Sequence, residues 1–151
     1  MEKGVEIISY VLMPNHFHFL IRQAKNDAVM EFTRNFQISF TKYINKRFER
    51  TGPLLQGQFK GKLIEDDEQL LHVHRYIHLN PYASFIVNDV ESLKDYTWSS
   101  LPEFLGHSKG GFCSKNIILN NFDNVDKYWK FITNQADYQR NLKRIKHLVF
   151  D

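Results

Sequence analysis

Residues 5–22 read VEIISYVLMPNHFHFLIR, and this stretch decides the fold. Val5 to Met13 is an apolar run, Pro14-Asn15 supplies turn chemistry, and His16 to Arg22 resumes the apolar pattern. The stretch therefore predicts a β-hairpin with two histidines at the start of its second strand. Side chains alternate faces along a strand, so His16 and His18 project together while Phe17 faces the core behind them. Two imidazoles on a rigid element make half of a divalent-metal coordination sphere. A strand that merely carries two histidines fits the triplet equally well.

Working outward, Val29, Phe32, Phe36, Phe40, Tyr43, Ile44 and Phe48 recur at intervals of three and four, predicting an amphipathic helix over 27–50 that stops at Thr51-Gly52-Pro53. Phe59 to Ile64 alternates well enough to predict another strand. Glu65-Asp66-Asp67-Glu68 then offers a cap and negative charge for a helix from about Glu68 to Asn80, with Pro81 as its stop. Residues 88–96 read as loop, 98–105 as a short helix, Lys109-Gly110-Gly111 as a flexible break, and 124–135 and 137–148 as helices. The expected class is α+β, a small antiparallel sheet with packed helices. Residues 1–105 are expected to form the main domain and 106–151 a helical extension packing on it.

The chain has 151 residues, enough for one substantial core, and 15% of them are aromatic. Cys113 is the only cysteine, which excludes an internal disulfide and a thiolate-rich zinc or iron-sulfur site. No stretch approaches the roughly 20 apolar residues that span a bilayer, and no leader is recognisable, so a cytoplasmic protein without a membrane partner is expected. Net charge is only +3, but between Arg22 and Lys62 nine basic residues face three acidic ones, a local +6. Such a segment points to a polyanion such as nucleic acid, although a solvated helix face accounts for many runs of this kind.

Tyr76 and Asn80 lie four apart on the helix that precedes Pro81, hence on one face, with His72 a turn earlier. Packed beside the histidine strand, this face would bring a phenol and a carboxamide oxygen to a metal held by His16 and His18. A phenol of pKa about 10 needs a nearby cation or base to act as a nucleophile. A hard ion such as Mg2+ or Mn2+ would also polarise a phosphoryl oxygen, whereas a structural zinc site needs a fourth protein ligand that the sequence does not offer. Taken alone, Tyr76 reads as an amphipathic packing residue and Asn80 as a polar C-cap.

Four segments, YVLMPNHFHFLI at 10–21, GPLLQGQFK at 52–60, RYIHLNP at 75–81 and Trp98-Ser99-Ser100, together resemble the IS200-like single-tyrosine transposases, and more narrowly the branch associated with repetitive extragenic palindromes. The resemblance implies a ferredoxin-like histidine-hydrophobe-histidine (HUH) endonuclease fold, a homodimer, and cleavage and joining of single-stranded or hairpin DNA through a 5′-phosphotyrosine intermediate. It assigns Tyr76 as nucleophile and His16, His18 and Asn80 as the metal set for Mg2+ or Mn2+. Relative to the family pattern the chain is expected to lack the first strand and helix, which would expose a sheet edge. Gln58 and Tyr82-Ala83-Ser84 stand where the family often has basic residues. Lys42, Lys46, Arg50, Lys60 and Lys62 are the candidates for DNA-backbone contacts. The alternative is a catalytically impaired or domesticated copy that binds a DNA hairpin without cutting it, and a purely structural metal site is the third reading.

Overall fold

The computed structural model describes residues 4–150, with side chains for residues 4–144. Strands β1 (Val5–Leu12) and β2 (Phe17–Gln23) pair in a two-stranded antiparallel sheet, as the opening stretch predicts. The Met13 N–H donates to the His16 carbonyl at 2.8 Å, which closes the turn and sets the register beside the first histidine. Helices follow: α1 (Ala28–Arg47), α2 (Asp67–Ala83), a 3-10 turn at Glu91–Asp95, α3 (Leu101–Phe104), α4 (Asn116–Leu119), α5 (Val125–Thr133) and α6 (Ala136–Phe150). The class is α+β. The described residues divide into two compact units, 4–6 with 21–64 and 7–20 with 65–150.

In the larger unit, the β1 edge is closed by loops. Leu12 N–H donates to the Trp98 carbonyl at 2.7 Å, Ser100 N–H to the Tyr10 carbonyl at 3.0 Å, and Ser114 N–H to the Ile7 carbonyl at 2.8 Å. These bonds satisfy backbone groups that a bare strand would leave open to another chain. Beneath them, Val11, Leu79, Leu93, Leu101, Ile118, Tyr128 and Ile132 are fully buried. Gly111, read as part of a flexible break, is a point of close approach: a Cβ there would run into the Glu103 carboxylate. That buried carboxylate accepts the Cys113 N–H at 3.1 Å and pairs with Lys115 at 3.7 Å.

Helix α2 begins as its acidic run predicts, with Asp66 as N-cap accepting the Gln69 N–H at 2.7 Å. Its end differs from the prediction, because Pro81 lies inside the helix, which continues to Ala83. A proline there forfeits one backbone bond to the preceding turn. Burial of Leu79, Tyr82 and Ala83 offsets that loss, and the Pro81 carbonyl accepts Ile86 N–H at 2.8 Å just beyond the helix. His74 and His78 on this helix are fully buried.

In the smaller unit, α1 stops a turn earlier than the periodicity predicts. Glu49 takes φ 50° and Gly52 φ 86°, so the chain reverses before the expected punctuation. The predicted apolar stripe forms a ladder, with Phe32, Phe36 and Phe40 rings 6.3 and 5.8 Å apart. Its far end is exposed, at 38% for Phe40, 59% for Tyr43 and 63% for Phe48. The strand predicted over 59–64 is not formed; this segment is irregular. Alternation of Phe59 and Leu63 with Lys60, Gly61 and Lys62 gives a strand-like pattern, but a strand needs a neighbour to take its backbone bonds, and none pairs with it among the described residues.

Candidate active site

All four residues predicted for the chemistry lie in the larger unit, where the two histidines and Tyr76 meet and Asn80 follows one turn along α2. The His16 and His18 rings are 5.0 Å apart and nearly perpendicular, and the His18 ring lies 5.8 Å from that of Tyr76. Phe17 and Phe19 pack on each other on the opposite face, 5.2 Å apart, as strand alternation requires. Tyr76 is 41% exposed and Asn80 is fully buried one turn further along α2. The phenol thus faces solvent, where a polymer substrate has access, while the carboxamide is held inside.

Electrostatics favour nitrogen ligands. Burial, reinforced by His16 and by the Lys143 ammonium, pushes His18 down to about 4. Burial and Lys143 lower His16 as well. Both imidazoles are therefore neutral near pH 7, the form that ligates metal. Asn15, which the sequence offered only as a turn residue, hydrogen-bonds His16 Nδ1 through Oδ1 at 2.6 Å. That bond orients the ring and leaves Nε2 for a ligand, the usual support of a metal-binding histidine. Asn80 Oδ1 accepts from Lys143 Nζ at 2.5 Å, so it already holds a cation, whereas Asn80 Nδ2 has no hydrogen-bond partner among the described residues. Two neutral imidazoles and a cation-binding carboxamide oxygen fit a divalent ion with positions left over for substrate. Among the described residues, no group of three or more His, Cys, Asp and Glu is placed to hold a metal.

A buried polar chain fixes α2 behind Tyr76. His74 Nε2 bonds Tyr128 OH at 2.9 Å, and His78 Nε2 bonds Ser100 Oγ at 2.8 Å. Ser100 Oγ also accepts the Tyr10 N–H at 2.9 Å. One hydroxyl thereby links the helix of Tyr76 to the strand that pairs with the histidine strand. Burial drives His78 down to about 3 and His74 well below its ordinary range. Arg75, beside Tyr76 in the sequence, is engaged elsewhere: its guanidinium donates to Asn134 Oδ1 at 2.9 Å and lies 4.5 Å from the Phe131 ring centre.

Sequence reasoning missed α6 as a wall of the site. Gln139 Nε2 donates to the Tyr76 carbonyl at 3.1 Å, Tyr82 OH donates to Asp137 at 2.6 Å, and the Arg140 guanidinium stacks over Tyr82 and Phe85 at 4.2 and 4.3 Å. The spacing 136, 139, 140, 143 was the available signal, a helix face carrying contacts every three or four residues.

The five basic candidates lie in the smaller unit. Lys42, Lys46, Lys60 and Lys62 are exposed, with no ion-pair partner among the described residues. Arg50 instead secures the end of α1, donating to Asn45 Oδ1 at 2.7 Å and to the Pro53 carbonyl at 3.4 Å. A cavity of about 680 Å3 opens in the same unit beside Met30, Arg34, Gln37, Gln58 and Phe59.

No helix among the described residues is long and apolar enough to cross a membrane. A family model described as "Transposase IS200 like" matches residues 1–80, which include the histidine pair, Tyr76 and Asn80. No curated protein and no solved structure matches the chain.

Proposed function

The chain belongs to the IS200-like transposase family, and from that premise we propose that it cuts and rejoins single-stranded DNA beside a hairpin, with Tyr76 as nucleophile. The observation that carries the reading is the packing of Tyr76 against His18, itself beside His16, with Asn80 one turn further along the same helix in one compact unit. In the proposed reaction the Tyr76 phenolic oxygen attacks a backbone phosphorus and forms a Tyr–O–P bond to the 5′ end of the downstream strand. The P–O3′ bond breaks, the phenolic proton passes to solvent, and the departing oxygen takes a proton to become a free 3′ hydroxyl. Attack by a second 3′ hydroxyl reverses these bond changes and joins strands without nucleotide hydrolysis, because the phosphodiester energy is kept in the linkage.

His16, His18 and Asn80 would hold a Mg2+ or Mn2+ ion, which when bound supplies Lewis-acid polarisation of the phosphoryl group. The residues of the chain do the remaining work. Asn15 and strand β2 aim the imidazoles, the Ser100 hydroxyl keeps α2 in register with them, and the exposed phenol meets the strand. Lys42, Lys46, Lys60 and Lys62 are proposed to bind backbone phosphates, an affinity that falls with salt through counterion release. The exposed end of the α1 ladder, Phe40, Tyr43 and Phe48, supports a homodimer as the working form, since apolar patches of this kind mark association surfaces.

The test is incubation of the purified protein with labelled hairpin-flanked single-stranded DNA and Mn2+, read on a denaturing gel. A slow-migrating covalent adduct is expected with wild type and is lost in Tyr76→Phe and in EDTA. Hairpin binding without any adduct, identical in wild type and Tyr76→Phe, would instead favour a DNA-binding module without chemistry.

A further inference from the structure

Lys143 reaches the site from α6, 63 residues along the chain from Asn80. Its Nζ donates to Asn80 Oδ1 at 2.5 Å and to Ser84 Oγ at 2.5 Å. The reach is set by a fixed helix, because Gln139, Asp137 and Arg140 tie α6 to α2 at the Tyr76 carbonyl, the Tyr82 hydroxyl and the Tyr82 ring.

An ammonium has three donors and no lone pair, so it cannot ligate a metal and can only take the place of one. Asn80 has a single side-chain oxygen, and two cations drawn to it repel each other in a partly buried site where water screens poorly. We infer that Lys143 is a fifth residue of the site, an internal cation that competes with the divalent ion for Asn80 Oδ1 and so sets the metal affinity. The inference rests on reading His16, His18 and Asn80 as the metal set. A lysine that served only packing would make the site weaker or leave it unchanged when replaced, whereas a competitor makes it tighter.

Mn2+ binding to the full chain, followed by the electron paramagnetic resonance signal of free Mn2+, separates these cases. Lys143→Gln keeps a hydrogen-bonding side chain of similar length without the charge, and Lys143→Met removes both. Both variants are expected to bind Mn2+ at least about tenfold more tightly than wild type, a fold-change typical of removing a neighbouring like charge. The gain should vanish when Asn80→Ala is added. Equal or weaker binding in both variants, with His16→Ala still abolishing binding, overturns the role of Lys143 and leaves the metal set standing. Binding that is insensitive to His16→Ala, with or without Lys143, overturns the metal set itself and the inference with it.

Discussion

Replacing Ser100 with Ala removes the hydroxyl that joins the helix of Tyr76 to the hairpin. In the native structure its Oγ accepts the Tyr10 N–H at 2.9 Å and bonds His78 Nε2 at 2.8 Å, and Ser100 and His78 are 1% and 0% exposed. Water cannot reach either group, so the variant strands one backbone donor and one imidazole nitrogen. Each orphaned buried group costs about 1–3 kcal/mol, and part is recovered by local relaxation, giving a net loss of about 2–4 kcal/mol. The Ser100 N–H keeps its 3.0 Å bond to the Tyr10 carbonyl, so the loop itself should hold. In urea unfolding monitored by circular dichroism, with a slope of about 2 kcal/mol/M, the midpoint should fall by about 1–2 M. Ser108→Ala, at an exposed hydroxyl, is the control and should stay within about 0.5 kcal/mol. A Ser100→Ala midpoint within about 0.3 M of wild type at unchanged slope, on the same urea scale, would refute the claim that this hydroxyl bears on the coupling of strand and helix.

Gly111→Ala forces the Glu103 carboxylate off the Cys113 N–H and should cost about 1–3 kcal/mol in the same assay, the range for losing the acceptor of a buried donor, with a neutral result contradicting the fixed placement of that carboxylate. Stability should also fall on acidification: His78 is held at about 3 when folded, so only the unfolded chain takes up its proton between its ordinary value near 6.5 and that point. The contribution is complete above pH 6.5 and about 2–3 kcal/mol smaller at pH 4.5, with His74 adding in the same direction. Urea midpoints that do not change from pH 7 to 4.5 would contradict it. Lys60→Ala with Lys62→Ala should lessen the slope of log K against log salt for single-stranded DNA by about 1.4, and an unchanged slope would remove these lysines from the interface.

The hairpin is legible because strand alternation, the Pro14-Asn15 turn and the histidine spacing all point one way. The start of α2 is legible for a similar reason, since Asp66 and the acidic residues after it act locally on the first turn. Its end is not, because the local rule at Pro81 is overridden by burial of Leu79 and Ala83, a tertiary effect no dipeptide carries. Residues 59–64 fail in the opposite sense, with a strand-like pattern and no partner strand. In the site, His16, His18, Tyr76 and Asn80 stand in two short motifs whose spacing fixes their faces. Ser100 and Lys143 enter from 22 and 63 residues away along the chain from their partners His78 and Asn80, so only the folded chain reveals these contacts.

The central claim is that Tyr76 forms the covalent bond to DNA, and peptide mass mapping tests it most directly. After incubation of the full chain with hairpin-flanked single-stranded DNA and Mn2+, nuclease trimming and proteolysis, one peptide containing Tyr76 should carry a nucleotide 5′-phosphate, and the released strand should end in a 3′ hydroxyl. Cleaved DNA with the nucleotide on any other residue, or with a free 5′-phosphate and no protein adduct at any time point, would contradict it.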